Sequence, residues 1–328
     1  MSLIDTYDAA LFDLDGVVYL GPEVIPGAAE SIAELRRRQV RVGFVTNNAA
    51  RAPITVAEHL TELGVEASAD DVVASSQAVA RLMASQLPVG SPVLVVGTRA
   101  LAEQVTAVGL AVVNSSADNP VAVVQGYDPQ MTWPRLDDAC YAIQAGATWY
   151  VTNTDATRPT NKGLVPGAGS MMDVVASAVD VTPTIAGKPY APLMEETVLR
   201  LKASHPLFVG DRIDTDIMGA VGVGMDSLFV FTGAHGKQDL LDAPENGRPT
   251  HLGHDLHALI EPARTAEVTV AGVTVAGVTA TINNGVVQLD HVPADRAGQY
   301  DALWAVLLLV WHQDADGQAA VDQLTQVK

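Results

Sequence analysis

The stretch Ala9-Ala10-Leu11-Phe12-Asp13-Leu14-Asp15-Gly16 lies near the start of the chain and joins four apolar residues to two acids and a glycine. A short apolar run fits a buried strand, and the acids with the glycine fit the turn that ends it. Three later segments repeat this arrangement of an apolar strand followed by polar residues, namely 40–45 before Thr46, 184–186 before Lys188, and 207–209 before Asp211. We therefore predict that these strands share one sheet.

Helical segments alternate with the strands along most of the chain. We predict helices at 28–38, 51–63, 192–203 and 215–221, and a further strand at 227–230. A second block holds strands at 92–96, 121–124 and 148–152, helices at 100–108, 135–145 and 170–179, and a loop rich in Thr, Pro and Gly at 153–169. Such alternation is typical of an α/β fold with a Rossmann-like parallel-sheet core, in which ligands bind at the carboxyl ends of the strands.

The last part of the chain has a different pattern. Residues 267–282 are rich in Val, Thr, Ala and Gly, Asn284-Gly285 is typical of a hairpin turn, and a helix is predicted from 300 to about 312. We interpret this part as a small α+β C-terminal appendix. The predicted domains are a core at 1–80 and 182–262, an inserted α/β cap domain at 81–181, and the appendix at 263–328.

The composition limits the class of protein and its partners. The chain has 328 residues, of which 48% are hydrophobic and 17% charged, so it belongs with globular proteins. A net charge of -19 argues against nucleic acid and anionic membrane surfaces as partners. The single cysteine, Cys140, excludes an internal disulfide, and the first residues lack the basic and apolar pattern of a signal peptide. The longest apolar run, 302–311, is too short to span a bilayer, and we expect a cytoplasmic protein.

The polar residues after the first two strands suit phosphate chemistry. Asp13 and Asp15 place two carboxylates at i and i+2, so that one can act as a nucleophile and the other as a general acid/base. A polar turn at the end of a strand is the alternative. Thr46-Asn47-Asn48 offers a hydroxyl and backbone N–H groups for phosphate oxygens, and an asparagine that caps a helix is the alternative.

The polar residues after the two later strands supply a cation and further acids. Lys188 in Gly187-Lys188-Pro189 can offset the charge of a phosphate, or it can be a solvated surface lysine. Asp211 and Asp216, in Gly210-Asp211-Arg212-Ile213-Asp214-Thr215-Asp216, are oxygen ligands of the kind that magnesium prefers, and helix capping is the competing interpretation. Because all four motifs follow strands of the same predicted sheet, they indicate a single site.

In this order, the motifs Asp-x-Asp, Thr, Lys and Gly-Asp-x-x-x-x-Asp resemble the haloacid dehalogenase superfamily of phosphohydrolases. The resemblance covers about residues 11–232 and looks closest to the branch with a large C2-type cap, which includes 4-nitrophenyl phosphate, phosphoglycolate, glycerol phosphate and pyridoxal phosphate phosphatases. The chain as a whole is similar to actinobacterial glycerol-3-phosphate phosphatases with an extra C-terminal segment. Three runs typical of that branch lie in the predicted cap: Val124-Gln125-Gly126-Tyr127-Asp128, Thr152-Asn153-Thr154-Asp155, and 163–170.

The resemblance implies a magnesium-dependent phosphatase that forms an aspartyl-phosphate. Asp13 resembles the nucleophile, whose carboxylate also binds Mg²⁺, and Asp15 resembles the general acid/base, whose backbone carbonyl also contacts the metal. Asp211 resembles the remaining protein ligand of the metal, and Asp216 a partner of metal-bound water. The residues that resemble the phosphate-binding set are Thr46, Asn47, Asn48 and Lys188.

Two features of the chain bear on how substrate is held. The branch often has Ser after the paired asparagines, whereas this chain has Ala49, so that Arg51 becomes a candidate donor or an exposed residue at the start of a helix. In the cap loop, Asp155 and Arg158 are candidate substrate-binding residues, with plain solvation as the alternative. The segment between Thr46 and Lys188 is long enough for an inserted cap, whereas residues 14–45 hold only one helix and one strand.

The expected substrate is a small phosphorylated metabolite, because a cap encloses the leaving group. The cap loop lacks an aromatic cluster, which favours small polyol or acid phosphates. The resemblance to actinobacterial glycerol-3-phosphate phosphatases places glycerol 3-phosphate first and phosphoglycolate next. We expect no nucleic acid or membrane partner, and a homodimer through the cap.

The alternative class is a phosphotransfer or signalling module, because receiver domains also place Asp, Thr and Lys on a parallel sheet, although they lack a cap. The appendix is either a regulatory module or a remnant similar to part of an acetyltransferase fold.

Overall fold

The computed structural model describes residues 1–160, 162–313 and 315–328. The strands, in chain order, are β1 Ala9–Phe12, β2 Tyr19–Leu20, β3 Glu23–Val24, β4 Arg41–Thr46, β5 Val72–Ala74, β6 Pro92–Val96, β7 Ala111–Val113, β8 Ala122–Gln125, β9 Thr148–Val151, β10 Thr157–Thr160, β11 Gly163–Pro166, β12 Thr184–Ile185, β13 Pro206–Gly210, β14 Asp226–Val230, β15 His251–Gly253, β16 Ala266–Thr269, β17 Gly272–Val275, β18 Val278–Asn283 and β19 Val286–Leu289. The helices are α1 Ala28–Arg37, α2 Pro53–Glu62, α3 Ser75–Gln86, α4 Arg99–Ala107, α5 Trp133–Gln144, α6 Ala168–Ala176, α7 Ala191–Leu201, α8 Met218–Gly222, α9 Lys237–Leu241, α10 Arg296–Gln313 and α11 Gln318–Asp322.

The chain divides into two compact units. The first unit holds residues 1–20, 24–42 and 205–328, and the second holds 21–23 and 43–204. The predicted α/β class with parallel-sheet cores is confirmed. Within the part of the chain that the structure describes, no helix combines the length and the apolar character that crossing a bilayer requires.

The first unit contains a parallel sheet in the strand order β15-β14-β13-β1. The register pairs Phe12 with Val209 and Gly210 with Phe229, so the chain leaves β1, β13 and β14 at the same edge of the sheet. All four residues of β1 are fully buried, as expected for a parallel strand that is covered on both faces. β4 starts in this unit, where the Arg41 N–H donates to the Asp8 carbonyl at 3.2 Å.

The predicted appendix forms a four-stranded antiparallel sheet, β16-β17-β18-β19, with α10 packed against it. The turn between β18 and β19 is Asn284-Gly285, with φ of 52° and 80°, which is the two-residue hairpin turn that the sequence predicts. The face toward α10 consists of small and branched apolar side chains, including Val273, Val275 and Ala280, all at most 1% exposed.

The appendix shares one hydrophobic core with the parallel sheet of the first unit. Phe229 and Phe231 of that unit belong to the same buried cluster as Tyr300 and Trp304 of α10. The rings of Phe231 and Tyr300 lie 4.9 Å apart, and the Tyr300 hydroxyl lies 2.9 Å from His254 Nδ1. The appendix is therefore built into the first unit.

The second unit contains a parallel sheet in the order β12-β9-β8-β6-β7 and the parallel pair β4-β5. Helices α5 and α6 cover one face of the five-stranded sheet, and a buried cluster that includes Val96, Val123, Leu136 and Trp149 fills the space between them. The alternating strand and helix pattern predicted for this part of the chain is present.

Several elements differ from the sequence predictions. The prediction that the strand at 184–186 shares one sheet with β1, β4 and β13 is wrong, because this strand, β12, pairs with β9 in the five-stranded sheet. Lys188 therefore follows a strand of a different sheet from the one that carries Asp13 and Asp211. The segment predicted as a loop at 153–169 contains the hairpin β10-β11, in which Thr157 pairs with Pro166, while Asn161 lies outside the described residues. The short strands β5 and β7 and the helix α3 were not predicted. The helix predicted at 51–63 begins at Pro53, and the helix predicted at 215–221 begins as a π-helical turn, Ile213–Ile217, before α8.

Candidate active site

Three carboxylates meet at the carboxyl ends of β1 and β13 in the first unit. Asp13, Asp211 and Asp216 each place one oxygen within 4.8 Å of the others. Their side chains are little exposed, at 9%, 1% and 0% of the residue surface. Asp13 continues β1 for one further hydrogen bond, because its N–H donates to the Val209 carbonyl at 2.9 Å. The register of the two strands thus brings together acids that are about 200 residues apart in sequence.

Asp216 folds back onto the start of its own motif. Its Oδ2 accepts hydrogen bonds from the N–H groups of Asp211, at 3.2 Å, and Arg212, at 3.1 Å. A Cβ on Gly210 would lie 2.2 Å from the Asp216 Cβ, so this close approach requires glycine. The spacing Gly-Asp-x-x-x-x-Asp therefore has a local structural reason, in which the second acid fixes the backbone of the first.

A loop of residues 232–236, which we call the Asp211 loop, grips Asp211 from the other side. The Ala234 N–H donates to Asp211 Oδ2 at 2.5 Å, and the His235 N–H donates to the Asp211 carbonyl at 3.3 Å. A Cβ on Gly233 would lie 1.8 Å from Asp211 Oδ2. Sequence reasoning missed this loop, because nothing in Thr-Gly-Ala-His-Gly indicates which side chain it contacts.

Asp15 lies in the tight turn after β1. Gly16 has a φ of 89°, and its N–H donates to the Tyr19 carbonyl at 2.8 Å. A Cβ on Gly16 would lie 2.5 Å from Asp211 Oδ2, while the Thr232 hydroxyl donates to the Gly16 carbonyl at 2.6 Å. The turn is thus fixed against the Asp211 loop, and it exposes the Asp15 side chain beside the buried acids.

The acid cluster fits a hard divalent cation. Carboxylate oxygens are the ligands that magnesium prefers, and among the described residues no histidine or cysteine belongs to this cluster. Three carboxylates this close repel one another, and a divalent cation would balance their charge. Asp13 and Asp211 are the residues suited to hold it, because Asp216 Oδ2 already accepts two backbone hydrogen bonds.

Asp214, in the same motif, points to a different partner. Its carboxylate accepts hydrogen bonds from the Arg212 guanidinium at 2.7 and 3.0 Å. Burial raises the pKa of the Asp214 carboxyl, but the hydrogen bonds and charge of Arg212, with a contribution from His235, outweigh burial and leave the pKa below its ordinary value. Asp214 is therefore a local partner of Arg212 and is absent from the acid cluster.

In the second unit, Asn47 connects three segments of chain. Its Oδ1 accepts from the Lys188 N–H at 2.8 Å, and its Nδ2 donates to the Lys188 carbonyl at 3.2 Å and to Asp155 Oδ2 at 3.2 Å. Lys188 is 2% exposed, and Thr46, the last residue of β4, is 6% exposed. The structure therefore brings together four of the residues predicted to bind phosphate or substrate: Thr46, Asn47, Asp155 and Lys188.

The backbone of Asn47 is fixed by two residues that sequence reasoning did not select. Asn153 Nδ2 donates to the Asn47 carbonyl at 2.7 Å, and the Ser75 hydroxyl donates to the same oxygen at 2.6 Å. Asn153 lies two residues after the end of β9. A search for polar residues just after strand ends, which selected the other site residues, could therefore have found it. Ser75 opens α3, a helix that the sequence pattern did not predict.

The other predicted residues make different contacts. Asn48 forms a local turn, since its Oδ1 accepts from the Ala50 N–H at 2.9 Å, and its own N–H donates to the Thr46 hydroxyl at 3.1 Å. Ala49 is buried and Arg51 is exposed. Arg158, on β10, is also exposed, and its guanidinium carbon lies 4.7 Å above the centre of the Tyr127 ring, a cation–π geometry.

The class of protein follows from comparison with known families. The family described as haloacid dehalogenase-like hydrolase matches residues 10–111, and a second description, HAD-hydrolase-like, matches 185–259. These ranges contain the acid cluster, Thr46 and Lys188. The chain belongs to the haloacid dehalogenase-like hydrolase family, as its motifs predict, and it is an enzyme.

Individual relatives are phosphatases. The chain is 45% identical over 267 residues to D-glycerol 3-phosphate phosphatase of Mycobacterium tuberculosis, covering 81% of this chain and 75% of the relative. A crystal structure of glycerol phosphate phosphatase from Mycobacterium tuberculosis in complex with magnesium matches with a TM-score of 0.89 and 39% identity, covering 99% of each chain. Acid sugar phosphatase of Staphylococcus saprophyticus is 35% identical, covering 78% of this chain and 97% of the relative.

Proposed function

We propose that the chain is a magnesium-dependent phosphatase that hydrolyses small phosphate monoesters through an aspartyl-phosphate on Asp13. The observation that carries this proposal is the placement of Asp13 at the end of β1, within 4.8 Å of the Asp211 and Asp216 carboxylates. A nucleophilic carboxylate needs a fixed position, and the Asp13 hydrogen bond to β13 supplies one.

The reaction proceeds in two displacements. An Asp13 carboxylate oxygen attacks phosphorus while the bond from phosphorus to the ester oxygen breaks, and Asp15 gives its proton to the departing alcohol. Asp15 then takes a proton from water, whose oxygen attacks phosphorus while the bond to Asp13 breaks. The exposed position of the Asp15 side chain suits both proton transfers, because the group must reach the leaving alcohol and then water.

Metal and phosphate binding fall to different residues. The Asp13 and Asp211 carboxylates and the Asp15 carbonyl would hold magnesium, which would supply charge neutralisation for the transferring phosphoryl group. We assign the phosphate oxygens to the Thr46 hydroxyl, the Asn47 backbone N–H and the Lys188 ammonium. The Asn48 N–H already donates to the Thr46 hydroxyl. Asn47 then acts by positioning Lys188, because its side chain hydrogen-bonds both backbone polar groups of that residue.

We place glycerol 3-phosphate first among substrates, and phosphoglycolate or another small phosphate ester next. The 45% identity to D-glycerol 3-phosphate phosphatase of Mycobacterium tuberculosis supports this order, whereas the acid sugar phosphatase relative supports the broader class. Asp155 and Arg158 are the residues we expect to contact the alcohol part of the substrate. Asp155 is held by Asn47 at 3.2 Å and is the better fixed of the two.

The test is a phosphate-release screen over small phosphomonoesters with Mg²⁺ or with EDTA. We expect activity that requires Mg²⁺, with the highest kcat/KM for glycerol 3-phosphate. Asp13→Asn should reduce turnover by about 10³-fold or more, the scale seen when a residue essential to covalent catalysis is removed. Asp214→Asn is the matched control, since Asp214 pairs with Arg212, and it should keep near-normal turnover. Ordinary activity of Asp13→Asn would contradict the proposal.

A further inference from the structure

The last residues of the described chain lie against the Asp211 loop. The Lys328 carbonyl accepts from the Lys237 N–H at 2.7 Å, and the Lys237 ammonium donates to the Leu324 carbonyl at 2.6 Å. The Lys328 ammonium donates to the Gly233 carbonyl. We call residues 323–328 the C-terminal strap. Its apolar side chains Leu324 and Val327 are 0% and 4% exposed, so the strap is anchored in the core of the first unit.

The strap and the Asp211 loop are in close backbone contact. A Cβ on Gly236 would lie 2.9 Å from the Lys328 carbonyl oxygen, which leaves no room for a side chain between the two segments. Lys328 of the strap therefore contacts the loop at Gly233 through its ammonium group and lies against Gly236 through its carbonyl. The same carbonyl accepts from the N–H of Lys237, the residue that follows the loop.

The same loop determines where Asp211 Oδ2 lies. The Ala234 N–H holds that oxygen at 2.5 Å, and Gly233 approaches it so closely that a Cβ there would lie 1.8 Å away. A shift of the loop by a few tenths of an ångström must move the Asp211 carboxylate. Partners that orient a metal ligand typically change metal affinity by 10- to 100-fold when they are removed.

The π-helical turn that carries Asp216 rests on the same support. Ile213 and Ile217 of the turn belong to one buried cluster with Leu324 and Val327 of the strap. Asp216 in turn fixes the Asp211 backbone. The Asp211 loop thus contacts the strap directly, and the π-helical turn shares a buried hydrophobic cluster with it.

We propose that the C-terminal strap is a positioning element that sets the affinity of the Asp211 site for its divalent cation. This inference rests on the proposed function, in which Asp211 is a metal ligand. The strap acts through the Asp211 loop, and it contacts neither the cation nor the substrate. It gives the C-terminal appendix a role in the metal site that is separate from its contribution to folding.

The test compares Lys237→Met with Arg296→Met in the full-length chain. Lys237→Met removes the ammonium group that holds the strap and keeps an apolar stem of similar length. Arg296→Met removes an exposed cation of the appendix whose guanidinium lies 3.2 Å from His254 Nε2. The measurement is the Kd for Mg²⁺ by isothermal titration calorimetry, with the melting temperature recorded for each variant.

We expect Lys237→Met to raise the Kd for Mg²⁺ about tenfold, and deletion of residues 325–328 to raise it further, while turnover at saturating Mg²⁺ stays near that of the wild type. Arg296→Met should bind Mg²⁺ like the wild type. A folded Lys237→Met variant with an unchanged Kd for Mg²⁺ overturns the inference. If the chain without residues 325–328 does not fold, the Lys237→Met result is used by itself.

Asp211→Asn separates this inference from the proposed function. If Asp211→Asn binds Mg²⁺ as the wild type does, Asp211 is not a ligand, and the metal site of the proposed function fails together with the inference. If Asp211→Asn loses Mg²⁺ binding while Lys237→Met keeps it, the proposed function stands and the role of the strap is refuted.

Discussion

Three glycines lie so close to Asp211 and Asp216 that a side chain at their positions would overlap these acids. Gly16, Gly210 and Gly233 each approach a carboxylate or its backbone so closely that a Cβ would overlap it, at 1.8 to 2.5 Å. Gly16 also has a φ of 89°, in the left-handed region that favours glycine. The positions of Asp211 and Asp216 thus depend on these glycines, which leave room for the acids, as well as on backbone hydrogen bonds.

Asn47 is the residue whose change should separate binding from chemistry. Asn47→Ala removes the buried side-chain hydrogen bonds to Lys188 and Asp155, and we expect it to lower the free energy of unfolding by roughly 1–3 kcal/mol. Because it positions Lys188 and Asp155, the variant should raise KM more than it lowers kcat. Steady-state kinetics and denaturant unfolding measure the two effects.

The control for Asn47→Ala is Asn246→Ala, at an exposed residue of the first unit. It should leave both KM and stability near the wild-type values. A change in kcat alone for Asn47→Ala would mean that Asn47 acts in the chemical step and does not position the phosphate-binding residues.

At the residue scale, the sequence predicted the acids but not what holds them. Asp13 and Asp211 were found because both follow apolar strands, and parallel strands end at one edge of a sheet. Ser75, Ala234 and Lys237 could not be found in this way, because each acts through a backbone group or a partner distant in sequence. Their residue types carry no signal of that role.

At the scale of elements, the sheet of the first unit is fixed at its opposite edge as well. The Tyr7 hydroxyl, just before β1, donates to Asp226 Oδ2 at 2.9 Å and lies 2.9 Å from His251 Nε2. Asp226 and His251 are the first residues of β14 and β15. Three strands are thus connected at the edge away from the acids, which stabilises the register that brings Asp13 beside Asp211.

This connection predicts a pH dependence of stability. Burial lowers the pKa of the His251 imidazole, although the nearby Asp226 charge partly opposes the shift. The folded protein then binds this proton less readily than the unfolded chain, whose histidine titrates near a pH of about 6.5, so stability is lost as the pH falls below that value. His251→Gln should reduce this loss between pH ~6.5 and ~5 in thermal unfolding experiments.

His312→Gln is the comparison for that experiment, because His312 is exposed on α10. It should retain the wild-type slope of melting temperature against pH. An unchanged slope in His251→Gln would show that other groups determine the acid sensitivity.

Elements with a clear period or an apolar run were predicted, and short or unusual ones were not. β1, β4 and β13 carry continuous apolar residues, which mark buried parallel strands. The hairpin β10-β11 is exposed and rich in Thr, Pro and Gly, so its sequence is typical of a loop. β5 ends at Ala74 and α3 begins at Ser75, with no Gly or Pro between them. The sequence therefore did not indicate where the strand ends and the helix begins.

At the scale of the whole molecule, the appendix is the feature that the sequence described least well. Its hairpin turn and long helix were predicted, whereas the stretch 267–282 was not divided into the strands β16, β17 and β18. Hydrophobic pattern alone also does not identify the surface that an apolar face will cover. In the structure that surface is the core of the first unit, including Phe229 and Phe231. The homodimer through the cap and the domain boundaries stay predictions.

Removing residues 263–328 should therefore unfold the first unit. The deletion exposes Phe229, Phe231 and Leu240 to solvent, all of which are at most 4% exposed in the structure. It also removes the apolar side chains of α10 that belong to the same buried cluster. We expect insoluble protein, or protein without a cooperative thermal transition, because lost burial on this scale exceeds the usual margin of about 5–15 kcal/mol. A soluble 1–262 fragment with wild-type melting temperature would show that the appendix folds separately.

The central claim is that Asp13 carries the phosphoryl group during turnover. The most direct measurement is rapid acid quench of the enzyme with Mg²⁺ and glycerol 3-phosphate, followed by peptide mass spectrometry. We predict a single phosphorylated aspartate, Asp13, that appears before steady state and is absent in Asp13→Asn. Phosphate release during a normal burst without a modified Asp13, or with the phosphoryl group on another residue, would contradict the account.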